Sequence, residues 1–237
     1  MHEDNYRNLM EELRSLADST RARNLARFFR TGKGEYGEGD KFLGIIVPLQ
    51  RKVAKKYHNL KLEDIQIILR SEYHEFRLTG LLILVEKFEK GDDKIKKRIY
   101  KFYLKNLKHI NNWDLVDVIT PKIVGAYLAN KPLERKILYV LARSKDLWKK
   151  RIAIIATHSF IRTGDFSDTL KISKILLGDK HDLIHKAVGW SLREVGKKNK
   201  KIEEIFLSQN CCKMPRVMLR YAIEKFSKKR RDFYMKK

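Results

Sequence analysis

The chain has 237 residues, 43% of them hydrophobic, which suits one or two ordinary domains with a buried core and argues against disorder. Its 53 Lys+Arg against 29 Asp+Glu give a formal charge of +24, a self-repelling surplus that points to an anionic partner, nucleic acid before an anionic membrane. A merely solvated lysine-rich surface is the plain alternative.

Helical periodicity recurs almost throughout, and no hairpin signal interrupts it. The first predicted helix, 3–16, is amphipathic and rich in acids, which is wrong for a signal peptide. A second covers 20–30, and GKGEYG at 32–37 follows it. Those letters fit the dinucleotide fingerprint, but no strand precedes them and no βαβ unit surrounds them. The stretch reads instead as a mobile loop, with Tyr36 near its end, that links the N-terminal helices to the rest.

Helices over 47–57, 62–70, 73–89 and 93–108 lead to one over 113–128. Pro121 should kink or divide that helix, because it supplies no amide donor and clashes with the preceding turn. Helices over 132–143, 146–163, 167–177, 182–196, 200–208 and 214–226 complete the set. The basic tail SKKRRDFYMKK at 227–237 is expected to fray. The longest apolar runs, such as LLILV at 81–85, are far too short to cross a bilayer. The only cysteines, Cys211 and Cys212, are neighbours, which suits neither a structural disulfide nor a zinc framework. A reducing, cytoplasmic location fits them.

A repeat runs through these helices. EFRLTGLLIL (75–84), KKRIAIIAT (149–157), IHKAVGWSL (184–192) and MPRVMLRYA (214–222) each set a basic residue before a run of small and apolar ones. The basic positions are Arg77, Arg151, Lys186 and Arg216. Steps of about 35 residues are the period of paired-helix solenoids of the HEAT type. The expected fold is therefore all-α, a superhelical array of HEAT-like repeats over 1–226 with a basic concave face.

One step beyond Arg77, the same register falls on DLVDVI (114–119). Asp117 then takes a place held by Gly80, Ile154, Gly189 and Leu219 in the other repeats. An acid there breaks the pattern, and burying a carboxylate costs several kcal/mol unless it is paired. Asp117 is either functional or the buried partner of a neighbouring arginine that holds repeats in register. Asp114 is less informative, since Asn112 reads as an N-cap and an acid suits the first turn of a helix.

All three tryptophans lie beside charges at helical spacing: Trp113 one turn before Asp117, Trp148 before Arg151, and Trp190 between Lys186 and Arg193. Trp148 reads as core. Trp113 and Trp190 suit a groove for a cationic or planar ligand. No histidine pair has zinc spacing, and no serine, cysteine or lysine stands in a nucleophile motif.

With these residues assembled, the chain resembles the DNA alkylation repair family of AlkD-like, HEAT-repeat DNA glycosylases from about residue 5 to 226. NNWDLVD (111–117), LWKKRIAIIAT (147–157), HDLIHKAVGWSLREVGK (181–197) and MPRVMLRYAIEKF (214–226) carry the resemblance in this order. It implies a monofunctional enzyme that hydrolyses the N-glycosidic bond of purines alkylated at N3 or N7 in duplex DNA. No cofactor or metal is expected, and a monomer is the default.

By the same resemblance Asp117 matches the catalytic aspartate, Trp113 and Trp190 the tryptophans of a shallow cleft, and Arg151 the arginine that accompanies the aspartate. Lys150, adjacent to Arg151, is the alternative. Lys186, Arg193 and Arg216 are candidate DNA contacts, and Tyr36 is a candidate for the cleft. FLGIIVPLQRK (42–52) departs from the pattern, being hydrophobic where relatives often place a polar residue. The rival readings are a catalytically silent HEAT-like module that grips nucleic acid, and a scaffold for an acidic protein.

Overall fold

A computed structural model describes residues 5–236, so the first two residues of the helix expected from 3 and the last of the tail lie outside it. The described chain is helical, with one isolated bridge, Lys41 to Tyr73, in place of any strand. The helices are α1 (Tyr6–Ser15), α2 (Ser19–Phe28), α3 (Val47–Lys56), α4 (Leu62–Leu69), α5 (His74–Lys90), α6 (Asp93–Lys105) and α7 (Trp113–Thr120). They continue as α8 (Ala126–Leu128), α9 (Lys136–Ala142), α10 (Leu147–Ala156), α11 (His158–Arg162) and α12 (Ser167–Leu176). The last are α13 (Asp182–Lys198), α14 (Lys200–Asn210), α15 (Arg216–Ala222) and α16 (Lys228–Lys236). None of them is long and apolar enough to cross a membrane.

The chain forms two compact units, Met1–Leu115 and Val116–Lys237. In the first, α5 is the axis. Every residue from His74 to Val85 is buried, because α5 packs against α3, α4 and α6. A helix that is apolar nearly all round has no solvent face to reserve for charge. In the second, α13 packs against α10, α12, α14 and α15. Gly189 permits the close approach of α15, since a Cβ there would overlap the carbonyl of Met218.

Three expectations differ in detail. The helix over 113–128 is divided at Pro121, as expected, but by a π turn, Pro121–Gly125, that leads on into α8. In a regular helix the missing N–H of Pro121 would bond the carbonyl of Asp117, and an extra residue in the turn relieves the clash of the ring. Ser159 on α11 donates to the Pro121 carbonyl at 2.6 Å and fixes that turn. The helix over 146–163 is two helices, α10 and α11, parted at Thr157. Its hydroxyl donates to the Ile154 carbonyl at 2.7 Å, a competitor to the backbone ladder.

The basic tail is not frayed but forms α16, anchored by buried Tyr234, whose ring meets Phe226 edge-on at 5.8 Å. Arg230 pairs there with Glu204 at 2.9 Å. Cys211, buried, and Cys212, exposed, form no disulfide.

Glu203 on α14 is buried with Oε1 unpaired, and burial pushes its carboxyl up to about 8. A carboxyl raised in the native state contributes least cost below its unfolded value and progressively more as pH climbs through 8. Glu203→Gln should therefore gain stability over the wild type by about 1.4 kcal/mol per pH unit from about 4.5 to 8. Urea unfolding of both proteins at pH 5 and pH 8 reads the difference, and a constant difference would contradict it.

Candidate active site

Within the second unit, the apolar run of α10 carries Arg151 into the interior, where a cation requires partners. They come from two other helices. Arg151 Nε donates to Asp117 Oδ1 at 2.8 Å and Nη2 to Oδ2 at 2.6 Å, the two-bond fork a guanidinium makes with a carboxylate. Nη1 donates to the Leu183 carbonyl in the first turn of α13 at 2.5 Å. The pair is not sealed: 6% of the Arg151 side chain is exposed but 15% of that of Asp117. The acid that breaks the repeat is thus charge-paired and still reaches the surface.

Trp190, half-buried on α13, donates its indole N–H to Glu194 at 3.0 Å and meets the His158 ring edge-on at 4.5 Å. Burial pushes His158 down to about 4, so the neighbour of the indole is a neutral imidazole that shares a 2.8 Å hydrogen bond with Ser191. Burial alone would raise Glu194, but hydrogen bonds from Lys197 and Trp190 outweigh it and hold the carboxyl low. The indole edge is thereby anchored on a carboxylate that Lys197 also pairs with at 2.7 Å.

The four basic candidates of the second unit all have partners there. Lys150 is joined to Asp179, with little of either side chain exposed. Arg193 pairs with Glu224. Lys186 pairs with Asp182 at 2.6 Å, one turn back on α13, and 38% of it is exposed. Arg216 donates to the Met235 carbonyl at 2.5 Å, a tie to α16. Lys150 is a structural tie by this geometry; Lys186 holds the most exposed of these ion pairs.

In the first unit, the start of α7 carries Trp113. Its amide is taken by Asn112 Oδ1 at 2.8 Å, and its ring stacks on Phe29 at 5.2 Å with 22° between the planes. Phe28 meets the same indole edge-on at 5.9 Å and is 63% exposed. Tyr36 donates to the Phe28 carbonyl at 3.4 Å. The expected linker around it is a run of tight turns.

Phe28 and Phe29 were not singled out by sequence: adjacent aromatics at a helix end carry no periodic signal. Nor did sequence single out Asp40 and His74, which join Arg77, Asn112 and Asp114 in a buried cluster. There Asp40 accepts from Arg77 at 2.7 Å and from Asn112 at 3.1 Å, and His74 lies between Asp40 and Asp114. Among the described residues, no three His, Cys, Asp or Glu side chains converge as metal ligands would.

A family model described as DNA alkylation repair enzyme matches residues 9–226. Two solved structures share the fold. One is described as a predicted DNA alkylation repair enzyme from Enterococcus faecalis, at a TM-score of 0.72 and 16% identity, covering 90% of this chain and 97% of that one. The other is described as a new family of proteins related to the HEAT-like repeat DNA glycosylases, with affinity for branched DNA structures. Its TM-score is 0.59 at 12% identity, covering 92% of this chain and 83% of that one. No curated protein matches the chain.

Proposed function

The chain belongs to the DNA alkylation repair enzyme family, and from that premise we propose that it is a monofunctional DNA glycosylase for purines made cationic by alkylation at N3 or N7 in duplex DNA. The observation that carries this reading is Asp117, an acid at an apolar repeat position that is clamped by Arg151 yet partly open to solvent.

A purine alkylated at N3 or N7 is already positively charged and leaves with the electron pair of the C1′–N bond without a general acid. What remains is an oxocarbenium-like sugar and an attacking water. Glycosidases normally face that transition state with two carboxylates, one of them an acid. With a precharged leaving group, one carboxylate suffices. Asp117 stabilises the developing positive charge, orients the water and accepts its proton as oxygen bonds to C1′. Arg151, with its two-bond fork, fixes the carboxylate in one attitude. Trp113, one helical turn before Asp117 on α7, and Trp190, its indole N–H held by Glu194, offer aromatic faces to cationic character, worth roughly 0.5–2 kcal/mol each. No lysine takes the nucleophile's role, so the product is an abasic site without an imine intermediate.

The assay is release of 7-methylguanine or 3-methyladenine from alkylated duplex DNA. Release by the wild type supports the reading. No release from any alkylated duplex, with duplex binding kept, would leave a silent DNA-binding module.

Phosphate contacts fix register without reading sequence, as an enzyme that accepts any context requires. The net charge of +24 supports a duplex affinity that falls steeply with salt, each phosphate contact adding about −0.9 to the log–log slope. Lys186→Ala should shallow that slope by about one contact. Lys150→Ala should instead lower stability and leave the slope alone, because its charge is spent on Asp179. A slope lost through Lys150 but not Lys186 would reverse these assignments. A flat salt profile in the wild type would remove the basic interface altogether.

A further inference from the structure

We propose that His74, held between the carboxylates of Asp40 and Asp114, is a positioning residue that sets the attitude of Trp113. Both ring nitrogens face an acid: Nδ1 lies 3.2 Å from Asp40 Oδ2 and Nε2 2.8 Å from Asp114 Oδ2. A neutral imidazole has one N–H, so it would turn a lone pair on one of the two carboxylates. Only the imidazolium donates to both. The site is buried, with 3% of the His74 side chain exposed, 3% of that of Asp40 and 14% of that of Asp114.

Three segments meet at this ring. Asp40 belongs to the loop between α2 and α3, His74 opens α5, and Asp114 lies in the first turn of α7. Asp40 also accepts from Asn112 Nδ2, and Asn112 Oδ1 accepts the amide of Trp113, so the polar path ends on the backbone of that tryptophan. A second path runs through ring faces. His74 stacks on Phe42 at 4.8 Å and lies tilted against Phe29 at 5.1 Å, and Phe29 stacks on Trp113. A cation between aromatic faces is attracted to both, and the attraction disappears with its charge.

The other charges around the ring leave the arrangement intact. Arg77, from the same helix, opposes a cation but is itself bonded to Asp40. Glu75 spends its oxygens on the amides of Leu43, Gly44 and Ile45 at 2.9, 2.8 and 3.3 Å. Arg21 of α2 pairs with Asp18 at 2.7 Å. Burial disfavours the imidazolium, yet the two aspartates outweigh it and lift His74 to about 9. A cavity of about 330 Å³ reaches His74 and Asp114, which gives protons a route that does not require unfolding.

The positioning claim concerns Trp113 itself; only its bearing on excision rests on the glycosylase reading. The test therefore has readouts independent of activity. In the wild type, ¹⁵N shifts of the His74 imidazole should report a cation at pH 8 that titrates near 9, which requires no variant to fold. In Trp148→Phe/Trp190→Phe, where Trp113 is the sole indole, emission should change with a midpoint near pH 9. The same background with His74→Gln should show a displaced emission maximum at pH 7 and lose the transition. Adding Asp114→Asn to His74→Gln supplies a neutral donor opposite the new amide, and should restore the pH 7 emission without restoring the pH response.

A wild-type His74 that is neutral at pH 8 overturns the proposal, as does His74→Gln with wild-type Trp113 emission throughout. A transition near pH 9 in a protein that excises no alkylated purine would uphold the proposal and remove the glycosylase reading instead.

Discussion

Excision of 7-methylguanine is expected to fall at least about tenfold in Asp117→Asn, about 1.4 kcal/mol in barrier, and to stay low in Asp117→Asn/Arg151→Gln even as stability returns. The two substitutions separate roles that one alone confounds. Asp117→Asn leaves a buried guanidinium facing an amide that accepts only through one oxygen, and an uncompensated buried charge typically costs about 3–5 kcal/mol. A fall in activity could then reflect a damaged fold. Replacing Arg151 as well removes the orphaned cation, and neutral replacements of buried ion pairs are often no less stable than the originals. The double variant should therefore be more stable than Asp117→Asn, a coupling of the sign expected for direct contact between the two.

If Asp117 only holds α7 to α10, excision should recover with stability. If its carboxylate faces the reacting sugar, excision should not recover, because no anion remains to oppose the charge on the ring. Urea unfolding and single-turnover release, measured on the wild type, Asp117→Asn, Arg151→Gln and the double variant, give both quantities. Recovery of excision in the double variant to within about threefold of wild type, ~0.65 kcal/mol, would reduce Asp117 to a structural tie.

The parts of this molecule that were legible in the sequence are those whose signal is local or periodic. Helical faces repeat every few residues, so the helices fall close to where the apolar spacing puts them. That Asp117 would be unusual was legible for a related reason: the repeat register exposed an acid in an apolar place, while Arg151 as its partner came from the family resemblance, with Lys150 left as the alternative. Lys186 and Asp182, one turn apart, could have been paired by spacing alone.

Long-range partners left no such trace. Asp179 lies 29 residues from Lys150, Glu224 lies 31 from Arg193, and Asp40 and Asp114 lie 34 and 40 from His74. Nothing local distinguishes these acids from solvated ones, so candidate phosphate contacts turned out to hold carboxylates or carbonyls of their own. Pro121 was expected to kink or divide a helix because its missing donor is local knowledge. That the helix would absorb it as a π turn depended on Ser159, 38 residues away. The tail was misjudged for the opposite reason: its charge is local, and the packing of Tyr234 against Phe226 is not.

Asp40→Asn should destabilise the first unit by about 3–5 kcal/mol at pH 7, the usual consequence of removing one partner from a buried charge cluster. Asp40 receives three bonds, from Arg77 at 2.7 Å, Asn112 at 3.1 Å and His74 at 3.2 Å. An asparagine keeps one acceptor oxygen but no charge, so His74 is left with Asp114 as its anion while Arg77 loses the carboxylate it is bonded to. Arg77 is poorly placed to compensate: its Nε has no partner, and its remaining bonds are to the carbonyls of Ser71 and Glu72. For a chain of this length, ~4 kcal/mol corresponds to a fall in Tm of about 8–16 °C.

The pH dependence separates charge from shape. Burial alone would raise the Asp40 carboxyl, but the bonds from His74, Arg77 and Asn112 outweigh it and hold it below the usual carboxylate range. A carboxyl depressed in the native state contributes stability above its unfolded value and loses it as pH falls through the native one. The gap between wild type and Asp40→Asn should therefore be full at pH 7 and shrink as the pH drops below about 4. His74 adds the complementary signature: its contribution is complete below about 6.5 and lost as pH rises through about 9. The gap should thus close at the acid end, where Asp40 itself is discharged, and narrow at the alkaline end, where His74 is discharged while Arg77 still pairs with Asp40. Urea denaturation from pH 3 to pH 10 would follow it. A gap that stays constant across that range would mean that Asp40 acts through packing alone, and would detach the loop before α3 from the charge network that holds the start of α7.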